Sequence, residues 1–289
     1  EKNKWITFKS NDKNLGVVEN ANSLLKLVKT EYILFAAADD FLLPDYIERV
    51  DKLIRYNPEV GLITATTLTF NEEKGSSGFY SSTFISNNNI YLNPKNFLNK
   101  IVNFGIFIKG ATSVYNSKLL KKENGLDINF TAFCDTYVAI QLSLKNGCIF
   151  DPCPGAVCQR LASGYASSSM RDEEILISMI NYLANKKNEL PIKAYNVISK
   201  IFITRLVNLR FFNSYNLLFD DFKEKVPSKN FARSIVLSLD LKFYSFPSIF
   251  IMYLSSIKQL INLKITRIRY KERIKDYNKY ILNLISDIK

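Results

Sequence analysis

Histidine does not occur anywhere in the 289 residues. That absence excludes Ser-His-Asp and Cys-His catalysis, zinc sites built on imidazole, and imidazole general bases. Acid or base chemistry must therefore fall to carboxylates, lysine, tyrosine or cysteine. Cysteine is scarce as well: Cys134, Cys148, Cys153 and Cys158 all lie in one short region. Their spacing is looser than the C-x2-C pairs zinc usually takes, so they read as ordinary buried thiols. A disulfide framework would be unusual in a chain of this length, and the first residues show no secretory leader, which makes a reducing cytoplasm the expected setting. Long apolar runs are missing too. The run "YSFPSIFIMYLSSI" has about 14 residues, too few to span a bilayer.

What is present describes a globular, water-soluble chain, 47% apolar and 23% charged. Its length suits one large or two ordinary domains. The net charge of +12 is unevenly placed: residues 1–168 carry about +2 and residues 169–289 about +10. Two regions with different electrostatics point to two different tasks.

Hydrophobic periodicity organises the first region. Trp5 to Phe8 reads as a short strand and Asn14 to Gly16 as a turn. Val17 to Val28 reads as an amphipathic helix, with apolar residues three and four apart. The apolar run Tyr32 to Ala38 predicts a strand buried on both faces of a parallel sheet. Pro44 suits the first turn of a helix whose apolar stripe is Tyr46, Ile47, Val50, Leu53 and Ile54. "VGLITATTLTF", residues 60–70, predicts a further strand, and the polar, Gly- and Ser-bearing residues 71–90 a mobile loop. "GATSVYNSKLL" looks like a strand entering a short helix, "CDTYVAIQLSLKNG" a helix from Asp135 to Gly147, and "CIFDPCPGAVCQR" extended chain. Alternating helices and strands make an α/β layout. Beyond about residue 170 glycine all but disappears, and segments 171–187, 191–212, 216–224 and 248–287 have helical periodicity.

Within this pattern "EYILFAAADDFLLPDYIERV" is unusual, because Asp39 and Asp40 follow a buried run with no basic residue close by. They sit where the strand should end, and in open α/β sheets ligands bind beyond the carboxyl ends of the strands. Two adjacent carboxylates repel unless a cation balances them, and Mg²⁺ or Mn²⁺ with a phosphate completing its shell would do so. The plain alternative is a helix cap beside a solvated acid.

The order of "NLGVVENANSLLKLVKTEYILFAAADDFLLPDYI", "GATSVYNSKLL", "CDTYVAIQLSLKNG" and "CQRLASGYASS" resembles family 2 glycosyltransferases of the GT-A fold, over roughly residues 4–170. The resemblance implies a Rossmann-like, mostly parallel sheet flanked by helices over residues 1–169, lacking its N-terminal part; the helical periodicity and positive charge beyond it predict a basic α-helical domain over 170–289. It implies a hexosyltransferase-type enzyme that takes a nucleotide-diphosphate sugar, expected to be a UDP-sugar, with Mn²⁺ or Mg²⁺. Asp39 matches the second acid of the D-x-D element, which binds the metal. Asp40 matches the next acid, at the sugar-donor pocket. Asn14 and Gly16 match the turn leading to the donor site, Asn22 an asparagine on the following helix, and Arg160 a later basic residue. Asp135 matches the general base of inverting members, which takes the proton of the acceptor hydroxyl; a helix N-cap is the plain alternative. A carboxylate base and a metal-stabilised leaving group need no imidazole.

Two departures accompany the resemblance. Ala37 occupies the first acidic position of D-x-D, so weaker metal binding is expected. The family's opening βαβ unit is not represented, and the chain starts with Glu, which predicts a fragment of a longer protein with an exposed sheet edge. Between Lys258 and Lys279, Lys264, Arg267, Lys271 and Lys275 recur beside an apolar stripe, so a basic amphipathic helix is expected. Such a helix could pack on its neighbours or lie on an anionic membrane surface. The acceptor expected of such an enzyme is a lipid-linked glycan or a bacterial capsule-type polysaccharide, made at the inner face of the membrane. No nucleic-acid module is visible. The rival expectation is a catalytically inactive transferase fold kept as a binding or assembly module.

Overall fold

The computed structural model describes residues 5–71, 76–79, 85–159 and 164–219. It is an α/β structure with the element order α1 (Gly16–Leu25), β1 (Tyr32–Leu34), β2 (Phe41–Leu42), α2 (Tyr46–Tyr56), β3 (Leu62–Asn71), β4 (Ser76–Phe79), β5 (Ile90–Leu92), α3 (Pro94–Phe104), β6 (Val114–Asn116), α4 (Ser117–Lys122), α5 (Cys134–Asn146), β7 (Cys148–Gln159), α6 (Tyr165–Ser169), α7 (Glu173–Asn185) and α8 (Ile192–Phe219). The strands form one sheet in the order β1-β6-β3-β7-β2, with β4 added to β3 and β5 to β7.

The sheet is mixed, which corrects the expectation of a mostly parallel one. Only β3 and β7 run parallel among the described pairs; β1–β6, β2–β7, β3–β4, β3–β6 and β5–β7 are antiparallel. The expectation rests on the apolar run Tyr32 to Ala38, and a run of apolar residues does not encode the direction of its neighbour: β1, which it contains, pairs antiparallel with β6. Other expectations shift locally. Trp5 to Phe8 forms no strand: Trp5 is 94% and Phe8 88% exposed, and a strand forms only where a neighbour takes its backbone hydrogen bonds. The strand expected over Tyr32 to Ala38 stops at Leu34 and is half-buried at the end of the sheet. Part of the loop expected over 71–90 is β4, a hairpin partner of β3.

Two apolar layers enclose the sheet. On one face α2 packs Tyr46 and Val50 against Ile63, Ala65, Val114 and Ile149. On the other, α3, α5, α7 and α8 share a single cluster. Its centre is aromatic: Phe107 meets Phe97 at 5.7 Å and Phe150 at 5.6 Å, while Phe130 stacks on Tyr137 at 3.9 Å and Phe133 meets Phe202 of α8 at 4.9 Å. Each buried aromatic of this kind contributes about 1.5–3 kcal/mol. Packing does not pause near residue 170, because Leu176, Met179, Ile180 and Leu183 of α7 lie in the same cluster as Val138 and Leu142 of α5. Among the described residues no helix is long and apolar enough to cross a membrane. The basic stretch between Lys258 and Lys279 lies outside the described residues.

β7 reaches the site through a distortion. Its register against β3 shifts between Ala65 and Thr67, opposite Asp151, Pro154 and Ala156, as a β-bulge does. Buried Asp151 accepts from the Arg49 Nε at 2.8 Å and from the Cys153 amide at 2.9 Å. Arg49 also donates to the Pro154 carbonyl at 2.7 Å, and Thr66 Oγ1 donates to the Pro152 carbonyl at 2.9 Å.

Candidate active site

The carboxyl ends of β3 and β7 hold the acid pair. Antiparallel pairing of β2 with β7 sets Phe41 opposite Val157, which brings Asp40 beside the end of β7. There Asp40 Oδ1 accepts from the Gln159 amide at 3.2 Å. Asp40 is half-buried and Asp39 exposed. Burial, reinforced by the Asp39 charge, raises the Asp40 pKa, while the Gln159 amide and the Cys158 thiol work the other way. The Cys158 thiol is itself pushed up to about 12 by burial and by the Asp40 carboxylate, so it stays protonated beside that acid.

Asp135 stands in the first turn of α5, where the helix N-terminus favours a negative charge. Its Oδ1 accepts from the Thr136 amide at 2.5 Å and from Thr136 Oγ1 at 3.1 Å. Its pKa is nevertheless raised, because burial outweighs those Thr136 bonds. The neighbouring Cys134 thiol is pushed up to about 12, first by burial and then by the Asp135 charge. The other carboxylate oxygen, Oδ2, lies against Gly110: a Cβ placed there would stand 2.2 Å from it. Gly110 opens a turn of 3-10 helix, Gly110–Thr112, just before β6.

The turn facing Asp135 lies beside Thr64 and Ala65 of β3, whereas Asp40 lies at Gln159, which pairs with Phe70 nearer the end of that strand. β6 runs antiparallel to β3, so the turn that precedes it lies beyond their paired residues along β3. Lys109, next to Gly110, has its amide bonded to Thr64 Oγ1 on β3 at 3.3 Å, and its positive charge acts on the Cys158 thiol.

The remaining candidates divide. Asn14 Oδ1 accepts from the Gly16 amide at 2.9 Å, and Gly16 has φ +75°, the left-handed conformation that glycine adopts without steric cost. Both hold the turn entering α1. Asn22 is engaged structurally: its Nδ2 donates to the Leu126 carbonyl at 2.8 Å and its Oδ1 accepts from the Leu126 amide at 2.8 Å. Arg160 lies outside the described residues. Gly110 carried no signal in sequence beyond opening the segment "GATSVYNSKLL", and its role follows from a neighbour 25 positions on.

Asp39 and Asp40 supply hard oxygen donors of the kind Mg²⁺ and Mn²⁺ take, and Ala37 adds none. Among the described residues no group of three or more Asp, Glu, Cys or His gathers as a metal set. Two carboxylates fit a cation whose shell is completed by phosphate and water.

This arrangement coincides with a family match. Residues 2–116 match the model described as Glycosyl transferase family 2. The matched segment, less than half of the chain, contains Asn14, Gly16, Asn22, Asp39 and Asp40 and ends before Asp135. No curated protein matches the chain. Among solved structures, the chain is similar to residues 1–349 of S. aureus TarS in complex with UDP-GlcNAc, at 15% identity over 87% of this chain and 70% of that one, with a TM-score of 0.48. It is also similar to the mannosyltransferase PcManGT of Pyrobaculum calidifontis in complex with GDP-Man and Mn²⁺, at 14% identity over 88% and 69%, with a TM-score of 0.47.

Proposed function

We propose that this protein is a glycosyltransferase that moves a sugar from a nucleoside diphosphate donor, a UDP-sugar in the first instance, to a hydroxyl of a glycan acceptor. The observation that supports this reading is the pair of adjacent carboxylates, Asp39 and Asp40, beside the end of β7 and inside the segment that matches the family 2 model. A divalent cation held by Asp39 and Asp40 would supply charge for the departing diphosphate. Asp135 is the general base. As the acceptor oxygen forms its bond to the anomeric carbon and the bond to the diphosphate breaks, the hydroxyl proton passes to Asp135 Oδ2. Oδ1 keeps its Thr136 bonds and holds the carboxylate in orientation. Burial raises the proton affinity of Asp135, which strengthens it as a base at neutral pH. Asn14 and Gly16 shape the turn near the donor, and Arg160 is assigned to the donor by the resemblance alone. The acceptor is a lipid-linked or surface polysaccharide, approached at the inner face of the membrane, in keeping with the basic character of residues 169–289.

Hydrolysis of a panel of nucleotide sugars with Mn²⁺, for the natural chain and for Asp39→Ala, tests the reading. Turnover by the natural chain, reduced about tenfold or more in the variant, supports it. Absence of both turnover and metal-dependent nucleotide binding would favour a non-catalytic module.

A further inference from the structure

Tyr46 lies in neither carboxylate group, yet it bonds to the backbone beside each. Its side chain is fully buried. Towards the acid pair, its amide donates to the Leu43 carbonyl at 3.0 Å and the Leu43 amide donates to the Gly155 carbonyl at 2.9 Å. The segment leaving Asp40 is thereby laid along β7. Towards the base, the Tyr46 hydroxyl donates to the Thr112 carbonyl at 2.5 Å. Thr112, itself buried, donates its hydroxyl to the Ala65 carbonyl at 2.8 Å and closes the turn whose first residue, Gly110, faces Asp135. The ring has no freedom to slide: a Cβ on Gly155 would come within 2.6 Å of it, and the Arg49 guanidinium stands 5.6 Å from its centroid.

We propose that Tyr46 is a positioning residue that sets the spacing between the Asp39–Asp40 loop and the Asp135 turn, and with it the alignment of leaving group and attacking hydroxyl. Its catalytic meaning rests on the glycosyltransferase reading; the mechanical coupling does not. Both parts of the side chain are needed. The ring fills the space over Gly155, and the hydroxyl reaches the Thr112 carbonyl, which a phenylalanine would leave without this donor.

The test compares Tyr46→Phe with Val50→Ala in the full chain. Val50 is buried on the same face of α2 and belongs to neither carboxylate group. In Tyr46→Phe the amides of Thr112 and Ser113, bonded to the Lys109 and Gly110 carbonyls, should exchange hydrogen about tenfold faster while α2 keeps its protection. With Mn²⁺ and a nucleotide sugar, its kcat should fall about tenfold to a hundredfold, with the donor KM held within about threefold. Val50→Ala should loosen α2 without that selective exchange and without the kcat loss. Unchanged Thr112 and Ser113 exchange in Tyr46→Phe, or the same exchange pattern and kcat loss in Val50→Ala, overturns the proposal. If the natural chain turns over no donor, the transferase reading fails, and the exchange comparison still decides the coupling.

Discussion

Asp40 and Asp135 are the same amino acid under a shared constraint, and they are held differently. Burial raises the pKa of both. Asp40 adds a like-charged neighbour and a single amide bond from Gln159, and its own partner Asp39 faces solvent. Asp135 has no adjacent acid; it sits at a helix N-terminus with two bonds from Thr136 and a glycine pressed against its free oxygen. In the proposed reading a cation from outside would relieve the first arrangement. The second is complete within the chain and stores its tension as affinity for a proton. The proposed roles, a cation-binding pair and a proton-accepting lone acid, thus rest on the differing surroundings of one residue type.

The sharpest way to break the comparison is to neutralise the lone acid. Asp135→Asn should lower turnover by about a hundredfold or more while leaving metal-dependent nucleotide binding intact, as separate kinetic and binding measurements would reveal. The same variant should have a stability signature of opposite sign. A carboxyl whose pKa is higher folded than unfolded binds its proton more tightly in the folded chain, so it favours folding at low pH and loses that advantage as pH rises through the folded value. Thermal melts should therefore show Asp135→Asn as stable as the natural chain or more so at pH 8, with any gain vanishing in acid. The acid limb of the natural turnover profile should correspondingly lie above the ordinary aspartate value of about 3.9.

A smaller effect follows from crowding the base. Gly110→Ala places a methyl 2.2 Å from Oδ2, so the carboxylate must rotate off its Thr136 bonds or the turn must retreat. A loss of kcat of about tenfold, with nucleotide affinity unchanged, is the expected result. Equal loss of both in steady-state kinetics and nucleotide titration would instead mean that the two groups of acids are not separable. The mildest change sharpens the other side. Ala37→Asp returns a carboxylate near the acid pair and should lower the Mn²⁺ concentration needed for half-maximal nucleotide binding by a few-fold, about 0.5–1 kcal/mol; no change would place residue 37 out of reach of the cation.

Much of this was legible in sequence where a pattern repeats along one element. β3 announces itself through its β-branched residues and β7 through an extended pattern, and α5 begins within one residue of Asp135 and ends at Gly147, whose φ of +77° suits glycine. Legibility fails where the deciding partner is distant. The direction of β6 against β3 is a property of pairing, not of either segment. β4 hides in a polar, glycine-bearing stretch because its hydrogen bonds to β3, not its own side chains, make it a strand. Asn22 is assigned by resemblance, and the partner of its amide, a backbone 104 positions away, cannot be read from its place on a helix. Tyr46 looked like one member of an apolar stripe, and only its buried hydroxyl bond to Thr112 sets it apart from Val50.

The bend in β7 has a consequence for how this end of the sheet can evolve. Pro152 and Pro154 interrupt an interior strand, where proline is tolerated only at bulges, and the carbonyls they expose are taken up by a threonine hydroxyl and a planar guanidinium in place of a neighbouring strand. Arg49 thus acts as a brace of fixed geometry. A lysine would keep the charge yet could not span Asp151 and the Pro154 carbonyl together, and the strand tip carrying Cys158 and Gln159 would swing away from Asp40.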